Sequence, residues 1–316
     1  MKFLFISPVF SGGTGSHAQM LMNYLEKSGH DVSKMNVPHI PIKNLKNPSF
    51  TFLSSLMGTL WRENYDIVHG FNIPSVFAMR RINSKKKVLS IHGVYSEQVE
   101  AIHSTTIGRL ASSIESKVLT WPDKLITDSR KSQLEYKKKL HINFEYLPTP
   151  IDLEKFEKIP NVKKNPKQVI FIGRDSFEKG IDILKDIESQ IDGNVIFCIQ
   201  NSWKEAMMLL KSSSILVVPS RIESLPTIIK EAFFLKIPVV AFSVGGIPEL
   251  IENGRTGLLV EPYNSKSLIE TINYLLNDKI LQKKLSDNAF EFVTHNLSLE
   301  IIFPKYLKFY ESLFEK

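Results

Sequence analysis

The sequence predicts an α/β protein of two doubly wound parallel-sheet domains, and three observations predict it. Short apolar runs alternate with longer amphipathic segments almost throughout the 316 residues. The runs are continuously apolar, the pattern of strands covered on both faces by crossover helices. A stretch carrying four prolines and many charges, PTPIDLEKFEKIPNVKKNPK (148–167), separates two sets of such runs.

The first set is KFLFIS, YDIVHGF, KVLSIHG, DKLITDS and FEYLP, with helical patterns at 16–28, 73–82, 97–119 and 129–140. The second is QVIFIGR, NVIFCIQ, SILVVPS, IPVVAFS and TGLLVEP. Helical periodicity then carries to the end, where LEIIFPKYLKFYESLFEK has an aromatic and aliphatic face in need of a partner surface. The expected domains are therefore 1–150, a hinge at 151–167, 168–297, and a terminal helix at 298–316. Two such domains place a ligand at the carboxyl ends of their strands. Motifs that matter should follow strands.

Bulk properties narrow the class. Hydrophobic residues make up 43% and charged residues 23%, as in a soluble globular protein. Forty Lys and Arg against 33 Asp and Glu leave +7, partly clustered as KKK at 85–87 and 137–139. That excess suits an anionic membrane surface or a phosphorylated ligand. No aromatic-basic motif accompanies it, so nucleic acid is not expected. The one cysteine, Cys198, lies in an apolar run, which argues for a reducing compartment. MKFLFISPVF is too short and too soon broken by proline and glycine for a signal peptide. No stretch approaches the ~20 apolar residues of a membrane span. The expected location is cytoplasmic.

Four post-strand loops look ligand-shaped. PVFSGGTGSH places Gly12, Gly13 and Gly15 before a helix, allowing close backbone approach to an anion. It is not a dinucleotide fingerprint, because G-x-G-x-x-G is absent. GRDSFEKG sets Arg174 and Lys179 five apart in a loop that opens a helix, a fork and a point charge suited to a diphosphate. PSRIESLPTIIKEAF sets Glu223 before a helix start near Pro226 and Glu231 more than a turn inside it. The helix dipole fades within one turn and explains Glu231 badly, whereas carboxylates accept from the hydroxyls of a sugar or ribose. The N–H groups of Leu225, Thr227 and Ile228 lie near the unpaired set at that start, and Pro226 offers none. SVGGIPELI repeats the arrangement with Gly245 and Gly246.

Together FIGRDSFEKG, VVPSRIESLPTIIKEAF, PVVAFSVGGIPELIENGRTGLLVEP and ISPVFSGGTGSH resemble the retaining nucleotide-sugar glycosyltransferases of family 4, also called glycosyl transferases group 1. The resemblance runs over most of the chain and is most specific at 214–262. It implies the GT-B fold, two Rossmann-like domains facing across a cleft, with the C-terminal helix crossing back to the first. It also implies transfer of a sugar from a nucleoside-diphosphate sugar to a hydroxyl acceptor, with retention. By this resemblance Arg174 and Lys179 hold the diphosphate, Glu223 the sugar hydroxyls and Glu231 the ribose. Thr227 and Ile228 offer backbone N–H groups, Gly12 and Gly13 close over the phosphate, and His92 lies beside the sugar and acceptor. The set expected at the chemistry is His92, Glu223, Arg174 and Lys179.

The other histidines differ. His69 follows a strand and is expected on the acceptor side, His30 reads as a structural turn, and His17 and His103 carry no assignment. No cluster has metal-ligand spacing and the cations can neutralise a diphosphate, so neither metal nor cofactor is expected. The acceptor class is a glycan or a lipid-linked hydroxyl, with peripheral association at the cytosolic membrane face. A GT-B nucleotide-sugar epimerase and a catalytically silent partner subunit are the competing readings.

Three departures from the family pattern stand out. Ser224 and Pro226 replace the glycines of E-G-x-G, and PTPID replaces Asn-Gly-Val/Ile-Asp. Between NVIFCIQ and the next strand there is only one short helix, where the family spends a further strand and helix that help hold the base. The base is therefore not legible.

Overall fold

The structure, a computed structural model, describes residues 1–10, 12–37, 46–102 and 105–315. The chain forms two compact units, Met1–Pro148 with Phe303–Lys316, and Thr149–Ile302. The stretch 151–167 packs within the second unit. Ile151 bridges Ser298, and buried Phe156 contacts the rings of Trp203 and Phe234.

The first unit holds β1 (Lys2–Ile6), β2 (Asp31–Met35), β3 (Tyr65–Phe71), β4 (Ser84–Ile91), β5 (Lys124–Thr127) and β6 (Glu145–Tyr146). They form one parallel sheet in the order β2-β1-β3-β4-β5-β6. Phe3 to Ile6 of β1 are fully buried, and Leu4, Ile6, Val68, Leu89 and Ile91 belong to one apolar core.

Strand β2 is absent from the sequence reading. DVSKM is an edge strand with one buried residue, so its apolar content signals nothing. The helix Lys46–Leu60 was also not predicted. It buries Phe50, Ser54 and Gly58, one helical face of mostly small residues, and exposes Phe52, Leu56 and Leu60. A Cβ at Gly58 would lie 3.0 Å from the Ala78 carbonyl oxygen, so close packing takes the place of apolar bulk.

In the second unit β7 (Gln168–Ile172), β8 (Asn194–Cys198), β9 (Ile215–Val218), β10 (Val239–Phe242) and β11 (Leu258–Val260) form a parallel sheet. Its order is β11-β10-β9-β7-β8. β9 and β10 are buried at every residue, as their unbroken apolar runs require. From β7 the chain goes first to one side and then, at β9, to the other. The loops after β7 and β9 therefore flank the point where strand order reverses, where open α/β sheets bind ligands.

The C-terminal helix Leu299–Ser312 places Phe303, Tyr306 and Tyr310 in the core of the first unit, Phe303 against Tyr24 with ring centroids 3.6 Å apart. No helix among the described residues is long and apolar enough to cross a membrane.

Truncating a buried aromatic removes its transfer energy and leaves a cavity. Phe303→Ala is expected to cost about 3–5 kcal/mol in urea unfolding. Phe52→Ser, at an exposed position, should stay within about 0.5 kcal/mol of the parent.

Candidate active site

Three loops of the second unit are held together by close backbone approach. Gly180 ends the loop after β7 with φ +66, and a Cβ there would lie 1.9 Å from the Pro219 carbonyl oxygen. Gly245 follows β10 with φ +56, and its Cβ would lie 1.8 Å from the Glu223 carbonyl oxygen. At both positions conformation and space each demand glycine. The Gly246 N–H then donates to the Ser224 carbonyl at 2.8 Å.

Arg221 fastens the first two loops from the side. Its guanidinium donates to both carboxylate oxygens of Asp182, at 2.7 and 2.6 Å, and to the Phe177 carbonyl at 2.8 Å. It also lies over the Phe177 ring, 4.0 Å from its centroid. The Arg221 hydrogen bonds hold the Asp182 carboxyl below its ordinary range. The Arg221 N–H donates to the Glu178 carbonyl at 2.9 Å, completing the join.

The clamp brings Lys179 and Glu223 together. Lys179 Nζ donates to Glu223 Oε1 at 2.6 Å, and Ser220 Oγ donates to the same oxygen at 2.9 Å. The Glu223 side chain is only 9% exposed and that of Lys179 25%, so the pair is shielded but reachable. Sequence reasoning gives Lys179 to the diphosphate and Glu223 to the sugar hydroxyls of one donor, and the structure places the two side chains in one ion pair. Arg174 is 74% exposed and paired with Glu178 at 2.9 Å.

The helix Thr227–Phe234 starts beside this pair, with Pro226 at its N-cap. Its first N–H groups, those of Thr227 and Ile228, have no partner within the helix by its geometry. Leu225 is buried just before them. One turn further on, Glu231 Oε1 accepts from Trp203 Nε1 at 2.7 Å. Burial pushes the Glu231 carboxyl up, against the Trp203 hydrogen bond. Lys155 Nζ lies over the Trp203 ring, 5.1 Å from its centroid.

In the first unit Gly12 and Gly13 open the helix that runs to Lys27, with φ +63 and +26, in open space. Gly15 is required by packing instead, since a Cβ there would lie 2.6 Å from the Val9 carbonyl oxygen. His92 follows β4, and its loop is anchored by Glu115. That buried carboxylate accepts from the N–H groups of Tyr95 and Ser96, at 3.0 and 3.1 Å, and from the Tyr136 hydroxyl. His92 Nε2 lies 2.9 Å from His17 Nδ1 and 4.0 Å from an Asp128 carboxylate oxygen. The His92 side chain is 13% exposed, while His17 is buried.

His69 corrects an expectation. It is fully buried, with Nδ1 2.7 Å from the Tyr310 hydroxyl and Nε2 2.7 Å from the Ser90 hydroxyl, and its ring stacks on Phe71. Nothing of it reaches a surface that an acceptor can touch. The structure also places it inside β3 rather than after it, in register with Phe5 and Val88 of the neighbouring strands. His30 pairs with the chain's amino terminus, and His103 lies outside the described residues. Sequence reasoning missed Arg221, Trp203 and Tyr306. A cation two residues before Glu223 was the one available signal.

Comparison with known proteins follows the same division of the chain. Residues 11–155 match the family described as Glycosyltransferase Family 4, and residues 184–292 match Glycosyl transferases group 1. An uncharacterized glycosyltransferase of Methanocaldococcus jannaschii is 23% identical over 98% of this chain and 96% of its own length. A second from that organism is 33% identical, but over 39% of this chain and 42% of its own length. Sucrose-phosphate synthase from Thermosynechococcus elongatus has the same fold, with TM-score 0.81 at 18% identity over 99% of both chains. Anabaena HepE, in complex with UDP-glucose, gives TM-score 0.74 at 16% identity, over 99% of this chain and 100% of its own.

Burial pushes the His69 imidazole down to about 3, with the neighbouring His92 adding to the effect. The unfolded chain takes up this proton near pH 6.5, so the unfolded state binds more protons between those values. Stability from this group is full above pH 6.5 and is lost as pH falls towards 3, at up to about 1.4 kcal/mol per pH unit. His69→Gln should therefore show a shallower fall of melting temperature than the parent between pH 6.5 and 4.5.

Proposed function

The chain belongs to the glycosyltransferases of the group 1, family 4 type and has their GT-B fold, and from that premise we propose its reaction. It moves a sugar from a nucleoside-diphosphate sugar to a hydroxyl of a glycan or lipid-linked acceptor, with retention and without a metal. The observation that carries this reading is the Lys179–Glu223 ion pair, 2.6 Å long, between the loops after β7 and β9. A cation and a carboxylate held side by side at a strand-order switch suit a ligand with phosphate at one end and hydroxyls at the other. The UDP-glucose complex of Anabaena HepE, which shares the fold, supports a donor of this kind.

Leaving-group departure builds negative charge on the diphosphate. Lys179, Arg174 and the N–H groups of Leu225, Thr227 and Ile228 are proposed to neutralise it, which is why no metal is invoked. Pro226 removes one donor from that series, leaving Lys179 a larger share of the charge. Glu223 takes the sugar hydroxyls, Glu231 the ribose, and His92 stands by the sugar. Because the Trp203 indole N–H already occupies Glu231, ribose binding has to share or displace that bond.

We place the protein in the cytoplasm, at the cytosolic membrane face. The net charge of +7 supports this. So does the exposed stripe Phe52, Leu56 and Leu60, beside which Arg81 donates to Ser55.

Calorimetry with UDP, GDP and ADP tests the donor site. One of them should bind, and Lys179→Ala should weaken it about tenfold to a hundredfold, the range of one charge-assisted contact. Unchanged affinity overturns the diphosphate assignment. With the preferred sugar nucleotide plus acceptor, release of nucleoside diphosphate is expected; an isomerised donor without release would mark an epimerase. In a Trp61→Phe, Trp121→Phe background, the same nucleotide should shift Trp203 fluorescence, and a silent Trp203 would remove ribose from Glu231. Vesicles containing anionic lipid should retain the protein at low salt and release it when Phe52 and Leu56 are both replaced by Ser.

A further inference from the structure

We propose that Ser220 is a positioning residue for the donor sugar. It holds Oε1 of Glu223 so that Oε2 is the oxygen offered to a sugar hydroxyl. The inference rests on the reading of Glu223 as the sugar contact, and every residue it uses lies in the second unit.

The hydrogen bonds at Glu223 run in one direction. An ammonium can only donate and a carboxylate can only accept. Lys179 Nζ therefore donates to Oε1 at 2.6 Å, and the Ser220 hydroxyl donates to the same atom at 2.9 Å. Among the described residues Oε2 has no hydrogen-bond partner, yet it is not one of the unpartnered atoms sealed from solvent. One oxygen of this carboxylate is thus occupied twice and the other is open. The last torsion of a glutamate is broad and roughly two-fold, so it takes donors on one oxygen to decide which oxygen faces the ligand.

The two donors differ in how firmly they are held. Lys179 carries its charge on a flexible stem, its side chain is 25% exposed, and its proposed ligand is the diphosphate. A bound diphosphate competes with Glu223 for that ammonium. Ser220 is 1% exposed, so a ligand does not reach it. Its backbone is fixed on both sides. The Pro219 carbonyl before it is the oxygen that excludes a Cβ at Gly180, and the Arg221 N–H after it donates to the Glu178 carbonyl at 2.9 Å. The Glu223 carbonyl is pinned in turn against Gly245. When Lys179 turns to phosphate, the Ser220 hydroxyl keeps Glu223 in the orientation that the sugar meets. A buried serine that merely closed a turn would behave differently, because its loss would weaken nucleotide and sugar nucleotide alike.

Calorimetry with matched ligands, UDP and UDP-glucose, GDP and GDP-mannose, ADP and ADP-glucose, tests this without an acceptor. The quantity read is the ratio of sugar-nucleotide to nucleotide affinity for the pair that binds. Ser220→Ala should keep nucleoside-diphosphate affinity within about twofold of the parent, which also shows that the variant is folded. It should weaken the sugar nucleotide about threefold to tenfold, the range of one hydrogen bond. Ser220→Thr keeps a hydroxyl and should lie nearer the parent. Glu223→Ala should lower the same ratio, and Ser220→Ala added to it should lower the ratio by less than about twofold more. Three results would overturn the proposal: an unchanged ratio in Ser220→Ala, equal losses for both ligands of the pair, or losses that multiply in the double variant. Any of these in a parent that binds a pair overturns this assignment alone. A parent that binds none of the ligands overturns the donor reading and this assignment with it.

Discussion

Close approach of backbone to backbone at Gly180 and Gly245 is the constraint on which the second unit's chemistry depends. Each glycine has positive φ and no room for a Cβ, so neither can be exchanged without separating two loops. Separation would part Lys179 from Glu223, because one stands on the loop after β7 and the other on the loop after β9. Arg221 adds a lateral tie, with two bonds to Asp182 and a third to Phe177. That tie is partly exposed on the Asp182 side and partly buried on the Arg221 side, so its value lies more in geometry than in stability. The result is a site assembled before any ligand arrives, which lowers the ordering cost of binding.

Much of this was legible in the chain. β1, β3, β7, β9 and β10 are continuous apolar runs because both their faces are covered, and such runs stand out. Glu231 stood out because the helix dipole explains it badly, and the glycine loops because they follow strands and open helices. What stayed illegible depends on partners distant in sequence. β2 is a polar edge strand, and the helix Lys46–Leu60 buries serine and glycine while exposing phenylalanine and leucine. Neither carries a period that binary patterning detects.

The site shows the same limit at the level of side chains. Lys179 and Glu223 were both singled out, yet nothing in the spacing says that a residue 44 positions away will share an ion pair with it. His69 lies within β3 and His92 just after β4, yet sequence position alone made both look like site residues. One is sealed between Tyr310 and Ser90, and the other reaches the surface. The difference arises from the C-terminal helix, whose tyrosines enter the first unit 241 and 289 positions from the histidines they contact.

The central claim is that Lys179 and Glu223 act on the donor as one preassembled unit. A double-mutant cycle on donor turnover, with Lys179→Met, Glu223→Gln and the pair together, measures this directly. The account predicts that each single change removes most of kcat/KM and that the double variant is little worse than the more damaged single, a coupling of more than about 1 kcal/mol. Losses that simply add would mean that the two residues serve the donor independently, and would contradict it.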